Sequence, residues 1–484
     1  MTEPQLPKRM RRMLSAAETS ALQRVMDAYP MPSVGMGIGR AGQQLYDGMN
    51  HVDTIDSELY ELYDVKRGLR NADGSGVLVG LTTISNVHGY DKVDGRVVPD
   101  KGELTLRGYH MSDLVAGAQA ENRFGYEEVA YLLIAGALPT QEQLDDFRAR
   151  IGMRRQLPEG YLAIFPRRTY STSIMNVLQR ATLLLYAFDP TPDDTMPTHE
   201  VDVALSLLGR WPRVASIAHA ADVAAQEDRE LKIPPAREDY SVAESILDVL
   251  RGDEGFTRDE ALLLDIMLML HAEHGGGNNS TFATRVLSSS GTDAYSAYAA
   301  ALGSLKGPKH GGANYKANEM IDDIAAHVAD WSNEDEVAGY LQKILHRDAF
   351  DRSGLIYGLG HAVYTVTDPR AEIVKQYAAK LASEKGELEK LELIKLVERL
   401  GPELMRDVRG IKKPISTNID MYTGFVYTML GIPRELFTPI FAIARMAGWA
   451  AHRMEELYGP ARIIRPAYRS IMSNLTYTPL AERK

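Results

Sequence analysis

The sequence contains no cysteine among its 484 residues. Disulfides, thiolate nucleophiles and cysteine-ligated zinc or iron–sulfur centres are therefore excluded. The sequence also has no apolar run of the roughly 18 residues that a membrane-spanning helix needs. The basic residues near the N-terminus are not followed by the apolar stretch of a secretory signal, so we expect a cytoplasmic protein with no membrane partner.

Positive charge is in deficit. Lysine and arginine number 54 against 65 aspartate and glutamate, which gives a formal net charge of −11. Such a chain has no general attraction for nucleic acid or anionic membranes, and we expect neither as a partner. An anionic small molecule must instead be held by a local cluster of arginine, lysine or histidine.

The sequence pattern predicts a mostly α-helical fold with a minor β element near the N-terminus. Alternating apolar residues and glycines within residues 77–109 predict a small hairpin or two. Most of the chain after this segment has helical periodicity. The alternation of strands and helices that a doubly wound parallel sheet requires is missing.

Two later helices have clear sequence signals. Thr257 and Glu260 form a capping-box pattern that predicts the start of a helix running to His271. This helix is apolar on nearly every face, which is typical of a buried helix. Thr438 and Pro439 predict the N-cap and first turn of the next long helix.

Three of the 12 histidines lie beside glycines in otherwise helical surroundings: His274, His310 and His361. One such histidine more often marks a helix end, but three of them indicate a site, because imidazole titrates near neutral pH. His271 and His274 share one helical face, so a zinc site is an alternative interpretation. It lacks a His-Glu-x-x-His pattern and cysteine ligands, and would need carboxylates from elsewhere.

Arg445 is the only permanently charged residue in the apolar stretch from Leu436 to His452. A buried guanidinium without an anion costs several kcal/mol, on the order of 3–5 when its partner is missing. The anion is either an internal carboxylate or the carboxylate of a substrate. The sequence alone leaves both alternatives open.

Three further residues have ordinary interpretations when each is considered alone. Arg370 follows Asp368 and Pro369, which is typical of a surface turn. Arg465 near the C-terminus would be a solvated arginine. Asp420 would be a helix N-cap.

The ordered segments together resemble the citrate synthase family. The resemblance covers roughly residues 77–466 and rests on segments 124–133, 271–274, 307–314, 358–370, 418–424 and 436–451, followed by Arg465-Pro466. So many motifs in the same order do not arise by chance. The resemblance leaves the first 75 residues unexplained.

The resemblance implies roles for individual residues. His310 matches the histidine that binds the acetyl-CoA thioester oxygen, and Asp420 matches the base that removes a methyl proton. His361 matches the group that polarises the keto oxygen of oxaloacetate. A carboxylate alone is too weak a base for a thioester methyl group, which is why the oxygen needs a hydrogen-bond donor.

The resemblance also implies four ligands of oxaloacetate. His274, Arg370 and Arg445 match residues that bind its oxygens and carboxylates. Arg465 matches an arginine that reaches across from the other subunit of a homodimer. Assembly beyond a dimer is left open.

For coenzyme A, the resemblance implies contacts from Lys413, with Lys412 as the alternative, and from Gly358 and Gly360. The chain departs from the family pattern at Gly275, where an acidic residue is common, and at Thr365, where a basic residue near CoA is frequent. Acetyl-CoA enters as a substrate. The reaction implies no metal and no redox cofactor.

The family fold implies a division of the chain into an N-terminal extension and two helical domains. The expected extension is 1–75, the large domain is 76–311 plus 431–484, and the small domain is 312–430. The small domain is expected to close over the substrates through the glycine-rich joints.

The implied activity is the Claisen-type condensation of acetyl-CoA with oxaloacetate, followed by hydrolysis to citrate and CoA. The nearest alternative is 2-methylcitrate synthase, which uses propionyl-CoA. A metallohydrolase built on His271 and His274, or a helical binding module without activity, are alternatives of other classes.

Overall fold

The computed structural model describes residues 43–45, 47, 55–71, 73–94, 96–164, 173–411, 414–460 and 462–483. Across these residues the chain is mostly helical, with one small three-stranded sheet near the N-terminal side. This confirms the predicted fold class. None of the helices in these ranges has the length and apolarity required to cross a bilayer.

The sheet is an antiparallel hairpin with a short third strand. Its strands are β1 (Ser85–Val93), β2 (Arg96–Leu106) and β3 (Tyr109–His110), in the order β1-β2-β3. The hairpin predicted within residues 77–109 is confirmed, but its first strand begins only at Ser85. Leu78 and Leu81 point into solvent, 86% and 91% exposed, and residues 77–84 pair with no strand in the described part of the chain.

The helices of the described residues are numbered in chain order, and the first is a short helix near residue 60. They are α1 (Glu58–Leu62), α2 (Met111–Ala120), α3 (Tyr126–Ala135), α4 (Gln141–Met153), α5 (Tyr161–Ile164), α6 (Ile174–Leu185), α7 (Pro197–Gln226), α8 (Val242–Arg251), α9 (Arg258–His271), α10 (Asn279–Ser288), α11 (Ala294–Leu305), α12 (Ala313–His327), α13 (Glu334–Leu345), α14 (Pro369–Lys385), α15 (Leu388–Arg409), α16 (Asp420–Met429) and α17 (Phe437–Tyr458).

Helix α9 has the predicted start and end. The Thr257 side chain accepts from the Glu260 N–H, and the Glu260 side chain accepts from the Thr257 N–H, so the capping box is confirmed. The charged residue in its apolar middle, Asp265, accepts the Gly125 N–H at 2.6 Å and the Tyr126 N–H at 3.2 Å. A buried carboxylate therefore satisfies the first N–H groups of α3, which would otherwise lack partners.

Helix α17 forms the centre of the core. It packs against α3, α7, α9, α10 and α11, and its side chains are buried on every face over most of its length. The predicted N-cap at Thr438 is wrong, because a 3₁₀ turn at Arg434–Leu436 leads directly into the helix at Phe437. Thr438 instead donates its hydroxyl to the Gly311 carbonyl at 3.1 Å.

The five helices from α12 to α16 pack mainly on one another. Contacts join α12 to α16, α13 to α15, and α14 to both α15 and α16. The division into a small domain at 312–430 and a large domain at 76–311 plus 431–484 stays a prediction. Of the expected extension at 1–75, the described residues are only 43–45, 47, 55–71 and 73–75.

The hairpin lies directly against the loop that carries His361. A Cβ atom on Gly89 would come within 2.7 Å of the Val363 carbonyl oxygen, and one on Gly102 within 1.9 Å of the Thr367 oxygen. Only glycine permits this backbone approach. Thr365 donates its hydroxyl to the Gly89 carbonyl at 3.2 Å, so the small sheet supports the loop.

A fully buried ion pair joins α7 to α17, and we expect its loss to destabilise the protein. Arg453 donates Nε and Nη2 to the Glu200 carboxylate at 2.7 and 2.6 Å, and both side chains are fully buried. Glu200→Ala leaves the guanidinium without its anion, which costs about 3–5 kcal/mol. Thermal and denaturant unfolding should therefore show a clearly lower midpoint.

The matched control is Asp146→Ala, which breaks the solvent-exposed Arg150–Asp146 pair within α4. An exposed pair of this kind contributes little to stability. Equal unfolding midpoints for the two variants would contradict the importance of the Glu200 contact.

Candidate active site

Five segments of the described chain supply the predicted site residues. They are the segment just after α9 with His274, the turn before α12 with His310, the loop from Gly358 with the first turn of α14 at Arg370, the start of α16 with Asp420, and the middle of α17 with Arg445. Their burial differs along the site. The side chains of His274, Arg370 and Arg445 are buried, whereas those of His310, His361 and Asp420 are partly exposed. The site therefore has a closed cationic end and a more open end.

His274 and His361 lie side by side with Tyr364. The ring centroids of His274 and His361 are 5.0 Å apart in an edge contact. The Tyr364 ring stacks on His361 at 4.6 Å and touches His274 at 5.4 Å. Two histidines that are distant in sequence are thus joined in one aromatic cluster.

The proton of His361 can be placed from its hydrogen bonds. The backbone N–H groups of Val363 and Tyr364 both point at Nδ1, at 3.1 and 3.0 Å. A backbone N–H can only donate, so Nδ1 is an acceptor and the ring proton is on Nε2. Burial, with a contribution from Arg370, lowers the pKa of His361 to about 4. The imidazole is therefore a neutral hydrogen-bond donor at physiological pH.

His310 has a similar arrangement through Ser280. The Ser280 backbone N–H points at Nε2 at 3.4 Å, and the Ser280 hydroxyl lies 3.0 Å from the same nitrogen. This favours a proton on Nδ1. Burial and then the nearby Arg445 lower the pKa of His310 to about 4. Trp449 of the central helix holds the serine by donating Nε1 to its hydroxyl at 3.3 Å.

Asp420 is the first residue of α16 and is not its N-cap, so the ordinary interpretation of this residue is wrong. Ile419 occupies the N-cap position, and the side-chain oxygen of Asn418 accepts the Asp420 N–H at 3.0 Å. The Asp420 carboxylate makes no hydrogen bond or ion pair in the described part of the chain. Burial raises its pKa to about 6, although Arg370 and Arg445 act to lower it.

Arg445 has one internal hydrogen bond and two unused nitrogens. Its Nε donates to the His271 carbonyl at 2.7 Å. Its Nη1 and Nη2 are buried and have no partner among the described residues. Glu273 is near enough to influence the pKa of Arg445, yet it forms no hydrogen bond with it. Of the two alternatives for the missing anion, this geometry favours a substrate carboxylate.

Arg370 is buried, so its interpretation as a surface turn is wrong. Its Nε and Nη2 donate to the Asp368 carboxylate at 3.0 and 2.7 Å. The Asp368 carboxylate also accepts the backbone N–H of Arg370 and of Ile419. One carboxylate therefore fixes the guanidinium and links it to the start of α16.

Arg370 and Arg445 lower the pKa values of the other site residues. Arg370 lowers the pKa of His274, His361 and Asp420, and Arg445 lowers that of His274, His310 and Asp420. Such electrostatic effects require proximity. His310 is thus near Arg445, His361 is near Arg370, and Asp420 is near both guanidinium groups.

The residues expected near coenzyme A lie partly outside the described ranges. Gly358 and Gly360, both with φ +85°, form a turn whose backbone pairs with residues 416–418 just before Asp420. Lys412 and Lys413 are outside the described residues. Arg465 is exposed in the C-terminal segment.

The zinc alternative at His271 and His274 finds little support. His271 Nδ1 donates to the Met267 carbonyl at 2.7 Å, and burial lowers the His271 pKa to about 3. The only set of three or more potential ligands close together in the described residues is His88, Asp91 and Asp100, on the hairpin. Neither histidine of α9 belongs to it.

Sequence reasoning missed three residues that organise the site: Tyr364, Asp368 and Ser280. Tyr364 follows a histidine in a loop, and Asp368 precedes a proline, so neither carries a pattern of its own. Ser280 lies in a polar stretch in which nothing distinguishes it as a contact of His310. Only the fold brings these side chains to their partners.

Comparisons with known proteins agree with this geometry. A family model described as citrate synthase, C-terminal domain, matches residues 72–467. The citrate synthase of Haloferax volcanii is 34% identical over 427 residues, covering 87% of this chain and 99% of that protein. The 2-methylcitrate synthase 1 of Corynebacterium glutamicum is 33% identical, covering 87% of this chain and 98% of that protein.

A solved structure has the same fold. It is the ternary complex of carboxymethyl coenzyme A and oxaloacetate with the citrate synthase of Thermoplasma acidophilum, with a TM-score of 0.69 and 25% identity, covering 87% of this chain and 99% of that one. The family model spans more than half of the chain. The chain belongs to the citrate synthase family.

We expect the Asp420 carboxyl to titrate near pH 6. It is protonated below that pH and ionised above it, so any step in which it accepts a proton is lost as the pH falls through about 6. Carbon-13 NMR of aspartate-labelled protein should show a carboxyl resonance with this midpoint. Asp420→Asn should remove it, and Asp146→Asn should leave it in place. A midpoint below about 4.5 would contradict the effect of burial.

Proposed function

We propose that this chain is a citrate synthase, which condenses acetyl-CoA with oxaloacetate and hydrolyses the product to citrate and CoA. The observation that carries the proposal is the buried Arg445, whose Nη1 and Nη2 have no hydrogen-bond partner among the described residues. Its charge lowers the pKa of His274, His310 and Asp420. A small dianion supplies the missing anion, and the neighbouring groups are those that carbon–carbon bond formation needs.

Oxaloacetate binds at the closed cationic end of the site. Arg445 holds one carboxylate through Nη1 and Nη2, a fork geometry that suits two oxygens. Arg370 neutralises the second charge, with Asp368 fixing its position. His274 hydrogen-bonds an oxygen of the same molecule. Removal of the dianion from water is compensated by these fixed charges.

The keto carbon becomes electrophilic through His361. Its Nε2–H donates to the keto oxygen, and the low pKa keeps the ring a neutral donor. Its position does not depend on the substrate, because two backbone N–H groups hold Nδ1. A fixed donor of this kind stabilises negative charge on oxygen without reorganisation in the transition state.

Enolisation of acetyl-CoA takes place at the more open end of the site. The Asp420 carboxylate removes a methyl proton, and the His310 Nδ1–H donates to the thioester oxygen. A raised pKa makes Asp420 a stronger base than an ordinary aspartate while leaving it mostly ionised at neutral pH. The resulting enolate, held by the His310 hydrogen bond, attacks the keto carbon, and the keto oxygen takes the Nε2 proton of His361 as it becomes a hydroxyl. Water then cleaves the thioester of the condensation product, which releases citrate and the CoA thiol.

Coenzyme A is placed by the turn at Gly358 and Gly360 and by Lys413 or Lys412, as the family resemblance implies. The turn adjoins Asp420 through the backbone pairing of residues 358–360 with 416–418. Acetyl-CoA is a substrate in this scheme. Neither the condensation nor the hydrolysis is an oxidation or a reduction, so the reaction requires no redox cofactor.

A 2-methylcitrate synthase is the second candidate, because a 2-methylcitrate synthase is as similar to the chain as the citrate synthases are. One methylene discriminates between substrates by only about 1–3 kcal/mol. Thiol release by the purified protein with oxaloacetate should be measured first with acetyl-CoA and then with propionyl-CoA. A larger kcat/KM with propionyl-CoA would replace the first proposal by the second.

Asp420→Ala and His361→Ala are each expected to lower the turnover of thiol release by at least ~100-fold, the contribution typical of a positioned acid–base group. Both variants should keep the helical circular dichroism of the parent protein. Asp146→Ala, far from the site on α4, serves as the control with unchanged turnover. Near-normal rates in folded variants would remove the proposed roles.

We further propose a homodimer in which Arg465 binds the substrate of the other subunit. Arg465 lies in an extended, exposed C-terminal segment and forms no ion pair in the described residues. Mixing inactive Arg465→Ala with inactive Asp420→Ala subunits should restore part of the activity, because one intact site forms in each mixed dimer.

The control for this complementation is a mixture of Asp420→Ala with His361→Ala. Both of these residues serve the site of their own subunit, so no intact site can form and no activity should return. Absence of recovery in verified mixed dimers of the first pair would show that Arg465 does not act across the interface.

A further inference from the structure

We propose that Tyr364 is a positioning residue that fixes the proton of His274 on Nδ1 and the ring plane of His361, so that both imidazoles present a neutral N–H donor to the bound keto acid. The part concerning the keto acid rests on the proposed function. The part concerning the two histidines rests on contacts within the chain.

The first contact is the Tyr364 hydroxyl, which lies 3.2 Å from His274 Nε2. Tyr364 is only 1% exposed, and no other hydrogen-bond partner of its hydroxyl occurs among the described residues. If His274 donated from Nε2, the phenolic proton would be buried without an acceptor, which is costly. The consistent arrangement has the phenol donating to Nε2.

This arrangement decides the tautomer of His274. Nε2 is then an acceptor, and the single proton of the neutral ring is on Nδ1. Burial, together with Arg370, holds the pKa of His274 well below its ordinary value, so the ring carries no second proton. Burial also raises the pKa of the Tyr364 phenol, which therefore keeps the proton it donates.

The second contact is the Tyr364 ring, which stacks on His361 with centroids 4.6 Å apart and planes 23° from parallel. The Tyr364 backbone N–H donates to His361 Nδ1 at 3.0 Å. One residue thus sets the plane of His361 with its ring, the tautomer of His361 with its backbone, and the tautomer of His274 with its hydroxyl.

Tyr364 is itself held on two sides. Its carbonyl accepts the Ser416 hydroxyl at 3.0 Å, from the segment that leads to Asp420. The hairpin backbone at Gly89 lies directly against it, because a Cβ atom added to Gly89 would come within 2.9 Å of the Tyr364 Cα. The tyrosine is therefore a fixed element to which two histidines are attached.

The test is Tyr364→Phe, which keeps the stacking ring and removes the hydroxyl. We expect KM for oxaloacetate to rise about tenfold, the effect of one lost hydrogen bond, with KM for the acyl-CoA changed less than about twofold. The pKa of His274, followed by nitrogen-15 NMR of its imidazole, should also rise. The lost bond stabilised neutral His274, and without it protonation of the ring becomes easier.

The matched control is Tyr298→Phe on α11, another fully buried tyrosine, whose hydroxyl has no partner in the described residues. It should leave both KM values and the pKa of His274 unchanged. Tyr364→Leu removes the stack as well, and should lower kcat in addition to raising KM for oxaloacetate. Parent-like kinetics in Tyr364→Phe, or an equal loss for both substrates, would overturn the proposal.

Nitrogen-15 NMR of the imidazoles makes the proposal testable without turnover. The His274 resonances, assigned by their absence in His274→Asn, should show the Nδ1–H tautomer in the parent protein and a changed tautomer ratio in Tyr364→Phe. An Nε2–H tautomer in the parent protein would overturn the role of Tyr364. Because this measurement needs no substrate, it separates failure of the inference from failure of the proposed function, which thiol release by the parent protein decides.

Discussion

The site depends on one unbalanced charge in the centre of the core. Arg445 is buried in an apolar helix, and its only described hydrogen bond is to the His271 carbonyl. A guanidinium in this position favours any arrangement that brings an anion to its free nitrogens. The nearest internal carboxylate, Glu273, is occupied by Ser85, Gly275 and His452. Glu273 acts on Arg445 through its charge, but it forms no hydrogen bond with the two outer nitrogens of the guanidinium.

The same charge and that of Arg370 act together with burial on the pKa of the neighbouring groups. Burial and positive charge act in the same direction on a histidine, and both favour the neutral ring. On Asp420 they act in opposite directions, and burial is the larger effect. Burial, assisted on the histidines by the two guanidiniums, therefore allows neutral donors and a moderately basic carboxylate to coexist in one site.

The sequence predicted those features that have local signals. The buried helix α9 was predictable because its capping box and its apolar faces are contiguous in the chain, and Arg445 stood out as the only permanent charge in an apolar stretch. The start of α17 was mispredicted at Thr438, since the preceding 3₁₀ turn has no distinct pattern. Arg370 and Asp420 carried no signal alone, and their importance was inferred only from the order of motifs.

The contacts of Tyr364 could not have been predicted, for a different reason. Its hydroxyl meets a histidine 90 residues away. Its backbone is supported by a hairpin that lies far earlier in the chain. Such contacts depend on how α9, the sheet and the loop are arranged in three dimensions, and no local periodicity encodes that arrangement.

The position of α17 in the chain has a consequence for biosynthesis. Helices α3, α7, α9, α10 and α11 all pack on it, yet it is the last long helix of the described chain to leave the ribosome. Until it emerges, their apolar faces lack the surface that will cover them, and a nascent chain in that state is prone to aggregation. The elements synthesised first must therefore wait for the C-terminal part before the core can close, and Arg445 arrives in the same step.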